Sequence, residues 1–238
     1  MNRPLSQLIH VPLRDGTDGP RMITLHDRNQ HARDVATWGL GATATGRVIG
    51  LESYKGVFRA RTITGYTWFV GPDDRPGPVF FGDALSEIER FLWDEVDRQR
   101  AAGRPDAELP FLLGVGQGAI MAIATALAVP DLLSGAIAVG PSLPVVPGWD
   151  PPLAPMTGLP ILLVGSVPDT SDPAPVPAGV GAPAVLRGDE LVSALTGWGA
   201  TVTSLDDAGS ATLPGIAAWL AARERRALPA PAGQASPG

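Results

Sequence analysis

The segment that most constrains the fold is an apolar strand that runs into three alternating glycines and then into a helix of small residues, FLLGVGQGAIMAIATALA at 111–128. The outer glycines, Gly114 and Gly118, let a strained turn pass close to neighbouring backbone. The middle position, Gly116, projects over the end of the predicted sheet, beside the partly positive N-terminus of the helix. The segment therefore predicts a binding or reaction site at the carboxyl end of a central strand.

Extended and helical segments alternate along the chain, which is typical of a parallel sheet flanked by helices. We predict an α/β fold with a mostly parallel sheet of about seven or eight strands. It forms a single domain over residues 1–226, with a proline-rich loop or lid at 167–187 and a disordered Pro/Ala/Gly-rich tail at 227–238. The predicted strands are 5–13, 21–25, 47–51, 110–115, 134–139, 160–165 and 200–205, and the predicted helices are 80–101, 117–128, 189–197 and 213–226.

Composition narrows the class of function. The chain has 238 residues, no cysteine and a formal net charge of −6, which excludes thiolate metal sites, disulfides and cysteine nucleophiles. The acidic balance and the absence of a Lys/Arg run argue against nucleic-acid and membrane partners. We expect a cytoplasmic protein that acts on a small molecule without a metal, nucleotide or other cofactor, because GVGQGA lacks the spacing of nucleotide-binding loops. A homodimer is possible.

Four segments are similar to segments of a known enzyme family. TLHDRNQHARD (24–34) is similar to its Leu-His oxyanion loop, and YTWFVGP (66–72) to its Trp-Phe segment. GVGQGAIMAIA is similar to its nucleophile elbow, normally G-F-S-Q-G-G, and LPILLVGSVPD (159–169) to the strand and loop that bear its catalytic acid. The chain thus resembles the phospholipase/carboxylesterase branch of the α/β-hydrolase fold, which includes the acyl-protein thioesterases.

The same segments depart from the family at its catalytic positions. Gly116 occupies the serine position of the elbow (residues 114–118), and Ser210 occupies the histidine position. Asp169 lies one residue late for the catalytic acid, and Asp27 replaces the glycine that follows the Leu-His pair. The resemblance therefore implies a degenerate Ser-His-Asp triad, in which serine-type hydrolysis lacks both its nucleophile and its base.

Candidate acid–base groups follow from the same family positions. One of them is expected to serve as general base or acid. For His26, the resemblance also implies a structural role as the alternative to catalysis. For Asp169, the alternative to catalysis is that it caps or solvates a loop. The four candidates are His26, Asp27, Arg28 and Asp169.

The pocket is expected to retain backbone donors for an anion. The resemblance implies that the N–H of Gln117, paired with that of Arg28 or Asn29, holds a developing oxyanion. Gly116 has no side chain and is expected to enlarge the cavity. The other pocket candidates, each with a packing or helix-start role as its alternative, are Trp68, Phe69 and Ser210.

Three functions are compatible with these residues. The first is a repurposed hydrolase-fold enzyme that performs non-hydrolytic chemistry on a small, apolar, natural-product-like substrate. Examples are Michael-type C–C bond formation in biosynthesis, an aldol or retro-aldol step, isomerisation and cyclisation. The second is a pseudoenzyme that binds a ligand or a protein partner. The third is a residual carboxylesterase or phospholipase-like hydrolase that uses a relocated serine and histidine.

Overall fold

A seven-stranded sheet forms the centre of the computed structural model, which describes residues 6–16, 19–102, 108–165, 185–206 and 212–223. The strands are β1 (Ile9–Arg14), β2 (Met22–Leu25), β3 (Val48–Glu52), β4 (Gly56–Arg59), β5 (Thr62–Tyr66), β6 (Phe111–Val115), β7 (Gly135–Val139), β8 (Leu143–Pro144), β9 (Pro160–Val164), β10 (Val185–Leu186) and β11 (Thr201–Leu205). The helices are α1 (Ala36–Ala42), α2 (Pro78–Ala101), α3 (Gln117–Ala128), α4 (Gly188–Gly197) and α5 (Thr212–Ala221), with a 3₁₀ turn at Pro130–Leu132.

The large sheet has the order β1-β3-β2-β6-β7-β9-β11. Strand β1 is antiparallel to β3, and every other neighbouring pair is parallel. The inner strands are buried along their whole length, as in GAIAV of β7, because helices cover both faces of the sheet. Helices α2, α3 and α4 pack on one face, and α1 and α5 pack on the other. The predicted α/β class with a mostly parallel sheet is confirmed.

The elements that the sequence did not predict are short. Helix α1, ATWGLGA, holds two glycines in seven residues, which weakens any helical pattern. Strands β4 and β5 form an antiparallel hairpin whose turn residues, Ala60 and Arg61, both have positive φ. That turn conformation is usually marked by Asn-Gly or Gly, so this hairpin has no recognisable turn sequence. Strands β8 and β10 form a separate two-residue pair.

Two of the predicted segments lie largely outside the described residues. These are the proline-rich loop or lid at 167–187 and the tail at 227–238. In the part of the chain that the structure describes, no helix combines the length and apolar character needed to cross a membrane.

Close packing between α3 and β2 fixes the position of the elbow. A Cβ atom at Gly118 would lie 2.2 Å from the backbone oxygen of Leu25. A Cβ atom at Gly114 would lie 2.0 Å from the backbone oxygen of Gly118. Both contacts are with backbone, which cannot rotate away as a side chain can. The first turn of α3 therefore has to carry glycine to lie this close to the central strand.

We expect Gly118→Ala to lower the free energy of unfolding by about 1–3 kcal/mol, because the added methyl group must separate α3 from β2. Gly82→Ala is the matched control, since a Cβ at Gly82 in α2 meets nothing within 4 Å. It should raise stability by about 0.4–1 kcal/mol through the unfolded state. Urea denaturation of both variants measures the difference. Equal stability of the two variants would contradict the close packing described here.

Candidate functional site

The elbow is a sharp bend between β6 and α3. Gly116 has φ +55° and ψ −116°, in the left-handed half of backbone space, where side chains other than glycine are strained. Its N–H donates to the Val139 oxygen of the neighbouring strand at 3.0 Å. Its own carbonyl accepts from the N–H groups of Ala119 and Ile120 at 3.0 and 3.2 Å. Hydrogen bonds on both sides therefore hold residue 116 over the carboxyl end of the sheet.

The carboxylate of Asp27 occupies the space above Gly116. Asp27 Oδ1 accepts the backbone N–H of Gln117 at 2.8 Å and the backbone N–H of Arg28 at 2.7 Å. A Cβ atom built on Gly116 would lie 2.0 Å from Asp27 Oδ1, 2.1 Å from Cγ and 2.4 Å from Oδ2. The side chain of Asp27 thus takes the volume that the side chain of residue 116 would otherwise fill.

This arrangement corrects two expectations about the pocket. The space left by the missing side chain at Gly116 is filled by Asp27, so the substitution does not by itself enlarge the cavity. The two backbone donors expected to hold an oxyanion are those of Gln117 and Arg28, and both hold the carboxylate of Asp27 instead. The N–H of Asn29, the alternative donor, is given to the Tyr66 carbonyl at 2.9 Å.

Gln117 connects the elbow to the segment that follows β5. Its side chain is fully buried. Gln117 Oε1 accepts the backbone N–H of Trp68 at 3.2 Å and lies 2.8 Å from the hydroxyl of Thr67. Its Nε2 donates to the Phe69 carbonyl at 3.2 Å and to Asp73 Oδ1 at 3.1 Å. These bonds use both donors and the acceptor of the amide, so Gln117 contributes only its backbone N–H to the space above Gly116.

Arg28 also reaches the loop at Asp73. Its Nη2 donates to the Gly71 carbonyl and to Asp73 Oδ1, both at 2.5 Å. The side chains of Arg28 and Asp73 are 35% and 44% exposed, so this ion pair is open to solvent. Thr67 and Asp73 were missed by the sequence reasoning. Neither follows a spacing that marks it, because their role depends on Gln117, which lies 50 residues after Thr67 and 44 residues after Asp73.

His26 is fully buried, and both ring nitrogens are engaged by backbone. Its Nδ1 lies 2.7 Å from the Asp27 carbonyl, and its Nε2 accepts the N–H of Ser53 at 3.2 Å, which places the ring proton on Nδ1. The ring stacks on Trp68 at 4.9 Å, and Trp68 Nε1 donates to the His26 carbonyl at 2.8 Å. Burial lowers the pKa of His26, and this effect outweighs the hydrogen bond that the ring donates to the Asp27 carbonyl and the nearby charges of Glu52 and Asp27, which raise the pKa.

The remaining predicted residues separate into two groups. Trp68 and Phe69 are fully buried and belong to the core that carries the site. Asp169 and Ser210 lie outside the described residues. Over the described ranges, no group of three or more His, Asp or Glu residues is arranged to hold a metal ion.

Solved structures share this architecture. A carboxylesterase from Bacillus cereus superposes with a TM-score of 0.68 at 18% identity, over 90% of this chain and 94% of its own. A carboxylesterase from Mesorhizobium loti gives 0.66 at 17%, over 87% and 90%. A phospholipase/carboxylesterase from Dyadobacter fermentans gives 0.58 at 16%, over 93% and 99%. The chain has the α/β-hydrolase fold. No protein-family model matches its sequence, and no curated protein does.

The likeness to these esterases covers nearly the whole of each chain, as the sequence resemblance implied. At identities below 20% it establishes the α/β-hydrolase fold and leaves the reaction to be argued from the site itself. In this chain, the space above the elbow is occupied by the carboxylate of Asp27, which belongs to the loop after β2.

A double-mutant cycle measures the competition for the space above Gly116. Gly116→Ala should destabilise the hydrolase-fold domain through backbone strain of about 1–3 kcal/mol and through expulsion of the Asp27 carboxylate from its two donors. In an Asp27→Gly background only the strain remains. We therefore expect a coupling of about 1–3 kcal/mol between the two sites in urea denaturation. Additive effects would show that the two side chains do not share one volume.

The buried His26 predicts an acid-sensitive contribution to stability. Its lowered pKa means that unfolding takes up a proton once the pH falls below the unfolded value near 6.5. The free energy of unfolding should then fall by up to about 1.4 kcal/mol per pH unit from this residue, and His26→Gln should abolish that part. Burial also lowers the pKa of His10, so His10→Gln is the control that should leave the His26 contribution intact. The same slope in wild type and His26→Gln would refute the assignment.

Proposed function

We propose that this chain is an enzyme of the esterase-like α/β-hydrolase fold in which Asp27 replaces the serine as the reactive group and acts as a general base. The observation that carries the proposal is the position of its carboxylate, which lies above Gly116 on the N–H groups of Gln117 and Arg28. The reaction class is non-hydrolytic and cofactor-free, such as Michael-type C–C bond formation, an aldol step, isomerisation or cyclisation. The substrate is a small, apolar, natural-product-like molecule.

The two oxygens of Asp27 are inequivalent. Oδ1 accepts both backbone donors, and no group among the described residues donates to Oδ2. The hydrogen bonds and the N-terminus of α3 fix the carboxylate in one orientation, which is the preorganisation that a general base needs. Asp27 and Gly116 are both only partly buried, which the approach of a small molecule to the carboxylate requires. A serine mechanism has no side chain at residue 116 from which to start.

Removal of a proton from carbon leaves negative charge on the substrate, and that charge needs a partner. The backbone N–H pair is occupied by Asp27, so the remaining candidate is the guanidinium of Arg28. Arg28 is one residue from Asp27, is 35% exposed and is oriented through Nη2 by Gly71 and Asp73. Its other nitrogens would hold an enolate-like oxygen. His26 supports the loop by its bonds to the backbone and takes no proton in this scheme.

A second candidate function is a pseudoenzyme that binds a ligand or partner. It is favoured by the fact that the chain's own carboxylate fills the anion site, which blocks that site to an external oxyanion. The two functions differ in whether Asp27 exchanges a proton with a bound molecule, so one experiment decides between them.

The experiment uses 5-nitrobenzisoxazole, an apolar carbon acid whose deprotonation opens the ring and releases a coloured phenolate. We expect saturable turnover by the wild-type chain and a loss of about 10²–10⁴-fold in kcat for Asp27→Asn, which keeps the shape and removes the base. Asp83→Asn, an exposed carboxylate in α2, is the matched control and should retain the wild-type rate.

Chemical rescue distinguishes the base from a structural role. Asp27→Gly leaves room above Gly116 for a small carboxylate, so sodium formate should restore part of its rate. Formate should not restore Asp27→Asn, whose amide still fills the space. A wild-type rate no faster than an equal concentration of acetate, or an Asp27→Asn variant as fast as wild type, would reject the base and leave the pseudoenzyme as the better account.

A further inference from the structure

A second histidine at the same edge of the sheet has the arrangement of a catalytic dyad. His31 Nδ1 lies 3.3 Å from Glu52 Oε1, and the side chain of His31 is 43% exposed. Glu52, the last residue of β3, is 8% exposed, and its Oε1 also accepts the backbone N–H of Ala32 at 3.1 Å. A buried carboxylate on Nδ1 holds the ring proton there and leaves Nε2 as the basic, accessible nitrogen.

The backbone around His31 is fixed on both sides. The N–H of His31 is donated to Asp34 Oδ2 at 2.7 Å, and the next N–H, that of Ala32, is donated to Glu52. The ring of Tyr66 meets the imidazole edge-on, with centroids 5.3 Å apart. No described residue forms a hydrogen bond with Nε2. The imidazole is therefore oriented by its surroundings and keeps one free nitrogen.

The contrast with His26 is informative, because the two residues lie five positions apart on one loop. His26 is fully buried and gives both nitrogens to backbone, whereas His31 gives one nitrogen to a carboxylate and presents the other. Only His31 has the partners of a proton carrier. Its residue type alone did not single it out in the sequence.

Topology places the dyad at the same edge of the sheet as Asp27. Strands β2 and β3 are parallel neighbours with Leu25 opposite Leu51, so His26 and Glu52 lie side by side at the carboxyl edge. The loop from β2 is tied to Tyr66, which receives the N–H of Asn29 and donates its own N–H to the Gln30 carbonyl. The Tyr66 ring lies 5.3 Å from that of His31 and 6.4 Å from that of His26. Asp27 lies over the end of β6 and Glu52 ends β3, on opposite sides of β2, so the two positions are two strand spacings apart, about 10 Å, and the substrate must span that distance.

We propose that His31, positioned by Glu52, is the second proton-transfer group of this site. The inference rests on the proposed role of Asp27. Asp27 Oδ2 takes a proton from a substrate carbon, and the electron pair of the broken C–H bond stays on the substrate as an enolate-type anion. Nε2 of His31 takes up a proton from water and gives it to a second substrate atom, forming the new bond to hydrogen. Asp27 releases its proton to water, so proton uptake and release balance and the net reaction is an isomerisation.

The dyad itself can be tested without any substrate, by ¹⁵N NMR of the histidine rings. In wild type we expect His31 to carry its proton on Nδ1. Glu52→Leu removes the acceptor and should shift the proton to Nε2, the form that free imidazole side chains prefer. Glu52→Gln retains Oε1 and should restore the Nδ1–H form. An Nε2–H ring in wild type, or a ring unaffected by Glu52→Leu, would overturn the dyad.

The catalytic role is tested with 5-nitrobenzisoxazole, in which His31 would donate its proton to the departing phenolate oxygen. We expect His31→Gln to lower kcat by about 10²-fold, while His10→Gln, on strand β1, serves as the matched control. Loss of rate in Asp27→Asn with no change in His31→Gln would reject His31 and keep Asp27 as the base. A loss in His31→Gln with no change in Asp27→Asn would reject the base on which this inference rests. A wild-type chain that does not accelerate the probe would reject both.

Discussion

The site depends on one interaction, the acceptance of two backbone N–H groups by a single carboxylate oxygen of Asp27. One donor belongs to the loop after β2 and the other to the first residue of α3, so the carboxylate bridges segments 90 residues apart in the chain. A charged acceptor on backbone donors forms stronger hydrogen bonds than a neutral one. The bridge therefore fixes the loop relative to the elbow and determines what can lie between them.

The rest of the network extends this bridge outward. Gln117 donates its backbone N–H to Asp27, and its side chain forms hydrogen bonds with residues 67–73. Arg28, from the loop after β2, donates to Asp73 in the same segment. Three segments thus meet around the end of β6 through hydrogen bonds that are buried at Thr67 and Phe69 and partly buried at Asp27 and Asp73. Gln117 and Arg28 share Asp73 as a partner, so two side chains join the loop after β2 and the start of α3 to the segment after β5.

The sequence predicted the parts of this structure that are local. Apolar runs such as FLLGV and GAIAV identify buried parallel strands, and the glycines around residue 116 identify the bend between strand and helix. The occupation of that bend by Asp27 is a contact between distant residues, and no spacing in the chain encodes it. The hairpin after β3 was not predicted for a different reason. Its turn residues, Ala60 and Arg61, adopt left-handed conformations that are uncommon for alanine and arginine.

The roles of the histidines also depend on contacts between residues that are distant in the sequence. His26 and His31 share a loop and a residue type, so the residue type alone does not separate a structural histidine from a proton-transfer group. What separates them is the identity of the atoms around each ring: two backbone groups for His26, one buried carboxylate for His31. Such partners are set by the register of β2 against β3, which becomes known only when the sheet is assembled.

The closeness of Gly118 to the Leu25 carbonyl has a consequence for how such chains are interpreted. Glycine is required on either side of residue 116 because backbone atoms of α3 crowd Gly114 and backbone atoms at the end of β2 crowd Gly118, whatever residue 116 does. A G-x-G-x-G turn between strand and helix therefore indicates that the helix packs closely against the sheet. The reaction must be inferred from the side chain that lies above the middle residue of the turn, whether it belongs to the turn or to another loop.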